Sequence, residues 1–288
     1  MALEIKVSIK FLEWQELYER ERPFHIFVDI PPEADDLRRS NLVFAPHDVT
    51  LSDTRPFKDT YQLNQHGFTY RDVTDQVLSF SDFSDQSEVE KHYLPMMEDF
   101  LRCHVDGVDK VFFFDWRLRM AMGSYTSDTL DLSDLTQWLL PVDQAHIDQS
   151  PVAVVNRVIR QLPEDAHALL QGRVRVINIW RPLFHTVEEC PLAVRDGSTV
   201  ESQDKVETDH VRRHYIGSTI FLQHNTRQQW HWLSNQSPNE AILMKMFDSE
   251  THPAIDCPHS SFEYQSSPNC LPRQSIEVRA LVFTLKSD

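Results

Sequence analysis

Five stretches in the later half of the chain, residues 173–180, 215–223, 229–233, 241–248 and 275–284, carry β-branched and aromatic residues between turn signals. Strands at so short a spacing, with helical patterning gathered ahead of them, predict a mainly β fold with flanking helices. A β-sandwich or jelly-roll barrel fits that order better than a parallel α/β sheet. Two helices are expected. Residues 88–104 place Val89, Tyr93, Met96, Met97, Phe100 and Leu101 at helical spacing, with Pro95 predicting a kink or a late start. A second begins at Pro151, where Ser150 is placed to cap it. Residues 111–117, apolar and aromatic, read as a buried strand. Ser237 to Glu240 matches a capping box and predicts one helical turn. The pattern divides the chain near residue 110, into a supporting region (1–110) that mixes polar loops with a helix, and a β core (111–288).

At 288 residues and 41% hydrophobic composition the chain can bury a large core. Its 28 basic residues against 44 acidic ones give a formal charge of -16, a surface field that repels phosphate backbones and anionic lipid. Nucleic acid and membrane are thus excluded as expected partners. No window approaches a membrane span, and the charged first residues do not resemble a secretion signal. Four cysteines without a CxxC pair fit reduced thiols, and a cytoplasmic location is expected. With six glycines, no phosphate-cradling loop is present.

Two His-x-Asp triplets occur where roughly one is expected by chance from 14 His and 26 Asp in 288 residues. His104 and Asp106 lie where a helix runs into Gly107, an ordinary helix end. In an extended segment His146 and Asp148 point the same way and can present a nitrogen and an oxygen to one ion. His259, from a distant strand, would complete one face of an octahedron and leave positions open for a chelating cosubstrate and dioxygen. The same histidines also suit hydrogen-bonded core positions. On one side of a strand, Arg273, Ser275, Glu277 and Arg279 form a polar row, costly to bury unless partnered and ordinary if it faces solvent. An arginine with a serine hydroxyl matches the far carboxylate of 2-oxoglutarate.

The motifs follow one another in a familiar order: His146 to Ser150, Asn178 to Leu183 with Arg181, Pro191 to Asp196, Trp230 to Leu233, Glu240 to Ser249, His259 to Phe262, and Arg273 to Arg279. In that order the sequence resembles the AsaB-type fungal hydroxylase/desaturase family, which includes gibberellin desaturase-like and CmcJ-like proteins. The resemblance implies a single oxygenase domain over 1–288 with a double-stranded β-helix core, cupin-like in form. It implies iron(II) held by His146, Asp148 and His259, with 2-oxoglutarate and dioxygen as cosubstrates. It also implies cofactor-binding roles for Arg273, Ser275, Arg279, Asn178 and Arg181, with Arg273 preferred for the far carboxylate. The expected reaction is hydroxylation or desaturation of a small secondary metabolite of terpenoid, alkaloid or polyketide type. Trp116, Trp138, Trp180, Trp230 and Trp232 are candidates for an apolar substrate pocket. A metal-dependent hydrolase using the same ligands and a non-catalytic subunit of a two-component oxygenase are the alternatives. A homodimer or a heterodimer with a paralogue fits the resemblance.

Overall fold

The computed structural model describes residues 3–74, 79, 81–121, 134–212 and 215–286. Fifteen strands run through them: β1 (Glu4–Leu12), β2 (Phe24–Ile26), β3 (Phe44–Asp53), β4 (Phe68–Asp72), β5 (Lys110–Met120), β6 (Trp138–Leu139), β7 (His146–Ile147), β8 (Arg173–Pro182), β9 (Leu192–Arg195), β10 (Lys205–Arg212), β11 (Tyr215–Leu222), β12 (Trp230–Trp232), β13 (Glu240–Asp248), β14 (His259–Ser261) and β15 (Gln274–Thr284). They form a nine-stranded sheet, β1-β3-β12-β9-β14-β7-β11-β10-β2, and a six-stranded sheet, β4-β13-β8-β15-β5-β6. The architecture is the jelly roll expected from the strand spacing.

Between the two sheets lies the larger core. Ile9, Leu51, Ile147, Val194 and Trp230 come to it from the nine-stranded sheet, and Val176, Trp180, Met244 and Leu281 from the six-stranded one. Strands β8, β13 and β15 are buried on their outer face as well, where Ile177, Ile179, Leu243, Ile276, Val278 and Val282 meet Val89, Tyr93, Met97 and Leu101 of the early helix. Burial on both faces explains why these three strands read as nearly continuous apolar runs.

The early helix begins at Gln86 and continues to His104. A π-helical turn, Val89–Tyr93, precedes Leu94 and Pro95, and the backbone stays helical through the junction. Proline cannot donate to the preceding turn and crowds its carbonyl, and the wider turn accommodates it within a continuous helix. The helix Pro151–Gln161 starts as read: the Ser150 hydroxyl accepts from Ala153 N. Ser237 to Glu240 forms a tight turn and no helical one; the Glu240 carboxylate accepts from Ser237 N at 3.0 Å and Glu240 N donates to Ser237 O, after which β13 begins at once.

The region before residue 110 is less loop-like than its polar composition predicts. It supplies β1, β2 and β3 to one sheet and β4 to the other. In β1, Ile5, Val7, Ile9 and Phe11 alternate with Lys6, Ser8 and Lys10, a period-two signal that the flanking polar segments obscure. No helix among the described residues is long and apolar enough to cross a membrane.

Candidate active site

Strands β7 and β14 are neighbours in the nine-stranded sheet, with His146 directly opposite His259. That register places the two imidazoles 4.4 Å apart between ring centroids. Asp148 follows just beyond β7, its backbone oxygen accepting from the Thr219 hydroxyl at 2.9 Å. One ligand atom from each of His146, Asp148 and His259 lies within 4.8 Å of the others, and His146 Nε2 is 3.6 Å from Asp148 Oδ1. His146 Nδ1 donates to Gln144 O at 2.7 Å, and His259 Nδ1 is 3.4 Å from Cys257 O. A carbonyl can only accept, so these contacts leave each Nε2 lone pair toward the shared point. The loop before β14 is seated against Gly67, whose φ is +83°; a Cβ there would stand 2.5 Å from Asp256 O, so only glycine fits.

The opposite sheet holds the carboxylate. Asn178 on β8 and Arg279 on β15 are cross-strand partners. Asn178 Nδ2 donates to Asp148 Oδ2 and to Glu277 Oε1, both at 2.6 Å. Arg279 Nη2 donates to Asp148 Oδ1, Nη1 to Asp115 Oδ2 and Nε to Glu277 Oε1, each at 3.0 Å. Burial alone would push the Asp148 carboxyl up; Arg279 and the two imidazoles outweigh it and hold the group well below its ordinary value. Burial, then the adjacent His146, lowers the His259 imidazole to about 3. Glu277 is pushed the other way, first by burial and then by Asp148, against the pull of Arg279. The three converging groups are therefore ready as one ionised oxygen donor and, at His259, a neutral nitrogen donor. That donor set suits iron(II).

The polar row of β15 faces inward. Arg273 is 1% exposed and Ser275 fully buried. Arg273 Nη1 donates to Cys190 O and, at 3.3 Å, reaches Ser261 Oγ; its guanidinium stands 5.6 Å from the centroid of the Trp180 ring. Arg273 Nε and Ser275 Oγ have no hydrogen-bond partner. Arg273 borders a narrow cavity, lined also by His146, His259 and Arg119, that leads from the histidines toward it, and Ser275 is two residues further along the same side of the row. Burial depresses the Arg273 guanidinium to about 9, and the neighbouring Arg119 cation acts in the same direction. A buried cation with an orphaned N–H beside an orphaned hydroxyl is what the distal carboxylate of a 2-oxo diacid would satisfy.

A larger cavity of about 500 Å³ borders His146 and Asp148, lined by Phe114, Asp115, Arg157, His210, Arg212 and Tyr215 among others. None of the five tryptophans expected to line a substrate pocket borders it. Trp116 and Trp138 pack on the outer face of the six-stranded sheet, and Trp230 and Trp232 in the core; Trp180 alone borders a cavity at the site, the narrow one. Arg181 and Asn178, grouped in the sequence, are three residues apart on β8, so alternation turns them to opposite faces; Arg181 Nε donates to Pro238 O at 2.6 Å. Arg181 thus points away from Asp148, to which Asn178 donates. The sequence reading missed Asp115, Arg117 and Arg119. Their signal is the alternation Asp115-Trp116-Arg117-Leu118-Arg119, which lies opposite Arg279, Glu277 and Ser275 in the ladder.

A jelly roll carrying two histidines and a carboxylate at one point, bordered by a cavity, has the architecture of a non-haem iron oxygenase. Comparisons with known proteins agree. Residues 9–283 match the family model described as "Oxidoreductase/YMDC permease-like domain". The chain is 32% identical over 251 residues to the Fe(II)/2-oxoglutarate-dependent dioxygenase nvfI of Aspergillus novofumigatus, covering 85% of this chain and 86% of that one. It is 29% identical over 262 residues to the alpha-ketoglutarate-dependent dioxygenase tstK of Talaromyces stipitatus, covering 88% and 91%. A solved structure of the iron and alpha-ketoglutarate-dependent endoperoxidase NvfI superimposes with a TM-score of 0.83 at 27% identity, over 98% of this chain and 99% of that chain. The chain belongs to this family of fungal Fe(II)/2-oxoglutarate-dependent dioxygenases, as its motif order implied. It is an enzyme of the kind that acts in fungal secondary metabolism, using iron(II), 2-oxoglutarate and dioxygen.

Proposed function

We infer that His146, Asp148 and His259 hold the iron, that Arg273 and Ser275 take the distal carboxylate of 2-oxoglutarate, and that a small secondary metabolite is hydroxylated or desaturated in the larger cavity. The observation that carries this reading is the convergence of the three donors between two cavities, one of which ends at a buried arginine. Iron(II) bound there supplies oxygen activation coupled to decarboxylation of 2-oxoglutarate to succinate and carbon dioxide.

The protein's own groups do the positioning. Gln144 O and Cys257 O orient the imidazoles, and Asn178 and Arg279 fix both oxygens of Asp148, so that the donors need little reorganisation when a metal enters. Arg279 is engaged by three carboxylates; it serves as a positioning residue for Asp148, leaving Arg273 as the cosubstrate cation. Trp180, His259, Arg273 and Glu277 of the narrow cavity are buried, and a low local dielectric strengthens a guanidinium–carboxylate contact. A hydrolase would need water activation alone and would give the buried Arg273 and Ser275 no role.

The test is anaerobic addition of iron(II) and 2-oxoglutarate to metal-stripped protein. The weak visible charge-transfer band of a chelated 2-oxo acid is expected in the wild type and absent in His259→Ala. Folded wild-type protein that binds iron without developing the band would contradict the reading.

A further inference from the structure

The larger cavity has a charge opposite to that of the chain. Five arginines line it, Arg117, Arg119, Arg157, Arg212 and Arg279, against the two carboxylates of Asp115 and Asp148, in a protein whose formal charge is -16. Asp115 and Asp148 are both engaged with Arg279, and Asp115 also with Arg117. Arg157 and Arg212 meet no carboxylate among the described residues; aromatic rings hold them instead. The Arg157 guanidinium lies 4.1 Å from the centroid of the Phe114 ring, and that of Arg212 5.1 Å from the centroid of Phe27. Stacking occupies the face of a guanidinium and leaves its N–H edge available for a planar anion.

Phe114 reaches the cavity through a specific device. The register of β5 against β15 shifts between Arg279 and Ala280, so that Asp115 pairs with Arg279, Phe113 pairs with Ala280, and Phe114 is the extra residue of a bulge. Adjacent residues of a regular strand face opposite sides; here Phe114 and Asp115 both line the cavity. The bulge thus brings the ring that carries Arg157 to the same wall as the Asp115–Arg279 pair. Arg157 Nε also lies 3.4 Å from Gln149 Oε1, next to Asp148 in the chain. Two further polar atoms on this wall, Tyr215 Oη and His210 Nε2, have no hydrogen-bond partner among the described residues.

We propose that the substrate of this enzyme carries a carboxylate, gripped by Arg157 and Arg212, which turns its reactive carbon toward His146 and Asp148. This rests on the oxygenase reading and adds to it the class of substrate. A wholly neutral skeleton would cover the two ring-stacked cations of this cavity without supplying an anion, a desolvation cost that a carboxylate offsets. A negatively charged protein with a positive cavity also steers anions toward that cavity.

The probes are 2-naphthoate and its methyl ester, titrated by calorimetry into the anaerobic holoenzyme with iron(II) and 2-oxoglutarate bound. The acid is expected to bind at least roughly tenfold more tightly than the ester, the effect of one charge-assisted contact. Arg157→Gln and Arg212→Gln should each erase most of that preference, while the 2-oxoglutarate concentration at half-maximal band moves less than about twofold. Arg212 is exposed, so its variant keeps the test open if Arg157→Gln fails to fold. Equal binding of acid and ester, or no binding of either, would overturn the proposal. So would variants that weaken 2-oxoglutarate and spare naphthoate, since the positive field would then serve the cosubstrate. The charge-transfer band separates the two readings: if it is absent in the wild type, the iron–2-oxoglutarate site fails; if it persists without an acid preference, only the substrate class fails.

Discussion

Arg273 and Arg279 sit at the two ends of one row on the inner side of β15, and their surroundings are opposite. Arg279 is pinned by Asp148, Glu277 and Asp115 at 3.0 Å each. Burial works against its charge, but the three carboxylates prevail and hold it above its ordinary value. Among the described residues Arg273 hydrogen-bonds only neutral oxygens and keeps Nε unpartnered, and burial depresses it to about 9. A cation already saturated by protein anions is a structural strut. One held among dipoles with a free N–H is suited to an anion that arrives later.

The largest expected effect follows from the strut. Arg279→Ala leaves three carboxylates in and around the core without their common cation, and removing one partner of a buried charge network costs about 3–5 kcal/mol. Chemical denaturation should show that loss, with iron binding lost too. A variant of wild-type stability that still binds iron tightly would break the contrast with Arg273. Next comes Asn178→Ala, which frees one oxygen of Asp148 and leaves the fold in place. Loss of such a partner weakens metal affinity by roughly 10–100-fold, readable by competition with a chelator; unchanged affinity would assign Asn178 to packing alone.

The smallest effect provides a reference away from the metal ligands. Burial first, against the attraction of Asp196, lowers the His231 imidazole to about 4. The folded state therefore binds fewer protons at this site than the unfolded state between pH about 4 and the ordinary 6.5, so its stability falls as pH falls through that window. His231→Asn should flatten the acid limb of the apo-protein's stability profile without moving 2-oxoglutarate affinity. An unaltered limb would show that His231 takes up its proton equally in the folded and unfolded states.

The sequence revealed the strands most clearly where the core is thickest. The reading of 275–284 differs by one residue from β15, and 241–248 by one from β13, because burial on both faces makes their apolar character continuous. β1 and β3 were hidden by the polar residues on their exposed side, and β7 and β14 are too short to show any period. Those two short strands carry His146 and His259, so these residues were legible only through the motif order. The row from Arg273 to Arg279 was visible as a row, but a period of two cannot say which side is inside. The early helix on the outer face of β15 decides it. The run from Glu240 to Ser249, part of the motif order, is scaffold: Glu240 is tied to Arg55 and Lys58, and Asp248 to Lys245 and Arg173. Arg157 and Arg212 belong to elements that meet only in three dimensions, so no local spacing announces them.

The division of labour between the two arginines is tested most directly by titrating 2-oxoglutarate into anaerobic, iron(II)-loaded wild-type, Arg273→Ala and Arg273→Lys proteins while following the charge-transfer band. Two charge-assisted contacts of about 1.5–3 kcal/mol each are at stake. Arg273→Ala is therefore expected to need at least roughly 100-fold more 2-oxoglutarate for half of the band, with iron affinity retained and partial recovery in Arg273→Lys. A wild-type titration curve in Arg273→Ala would contradict the account and return the cosubstrate's distal carboxylate to another cation of the site.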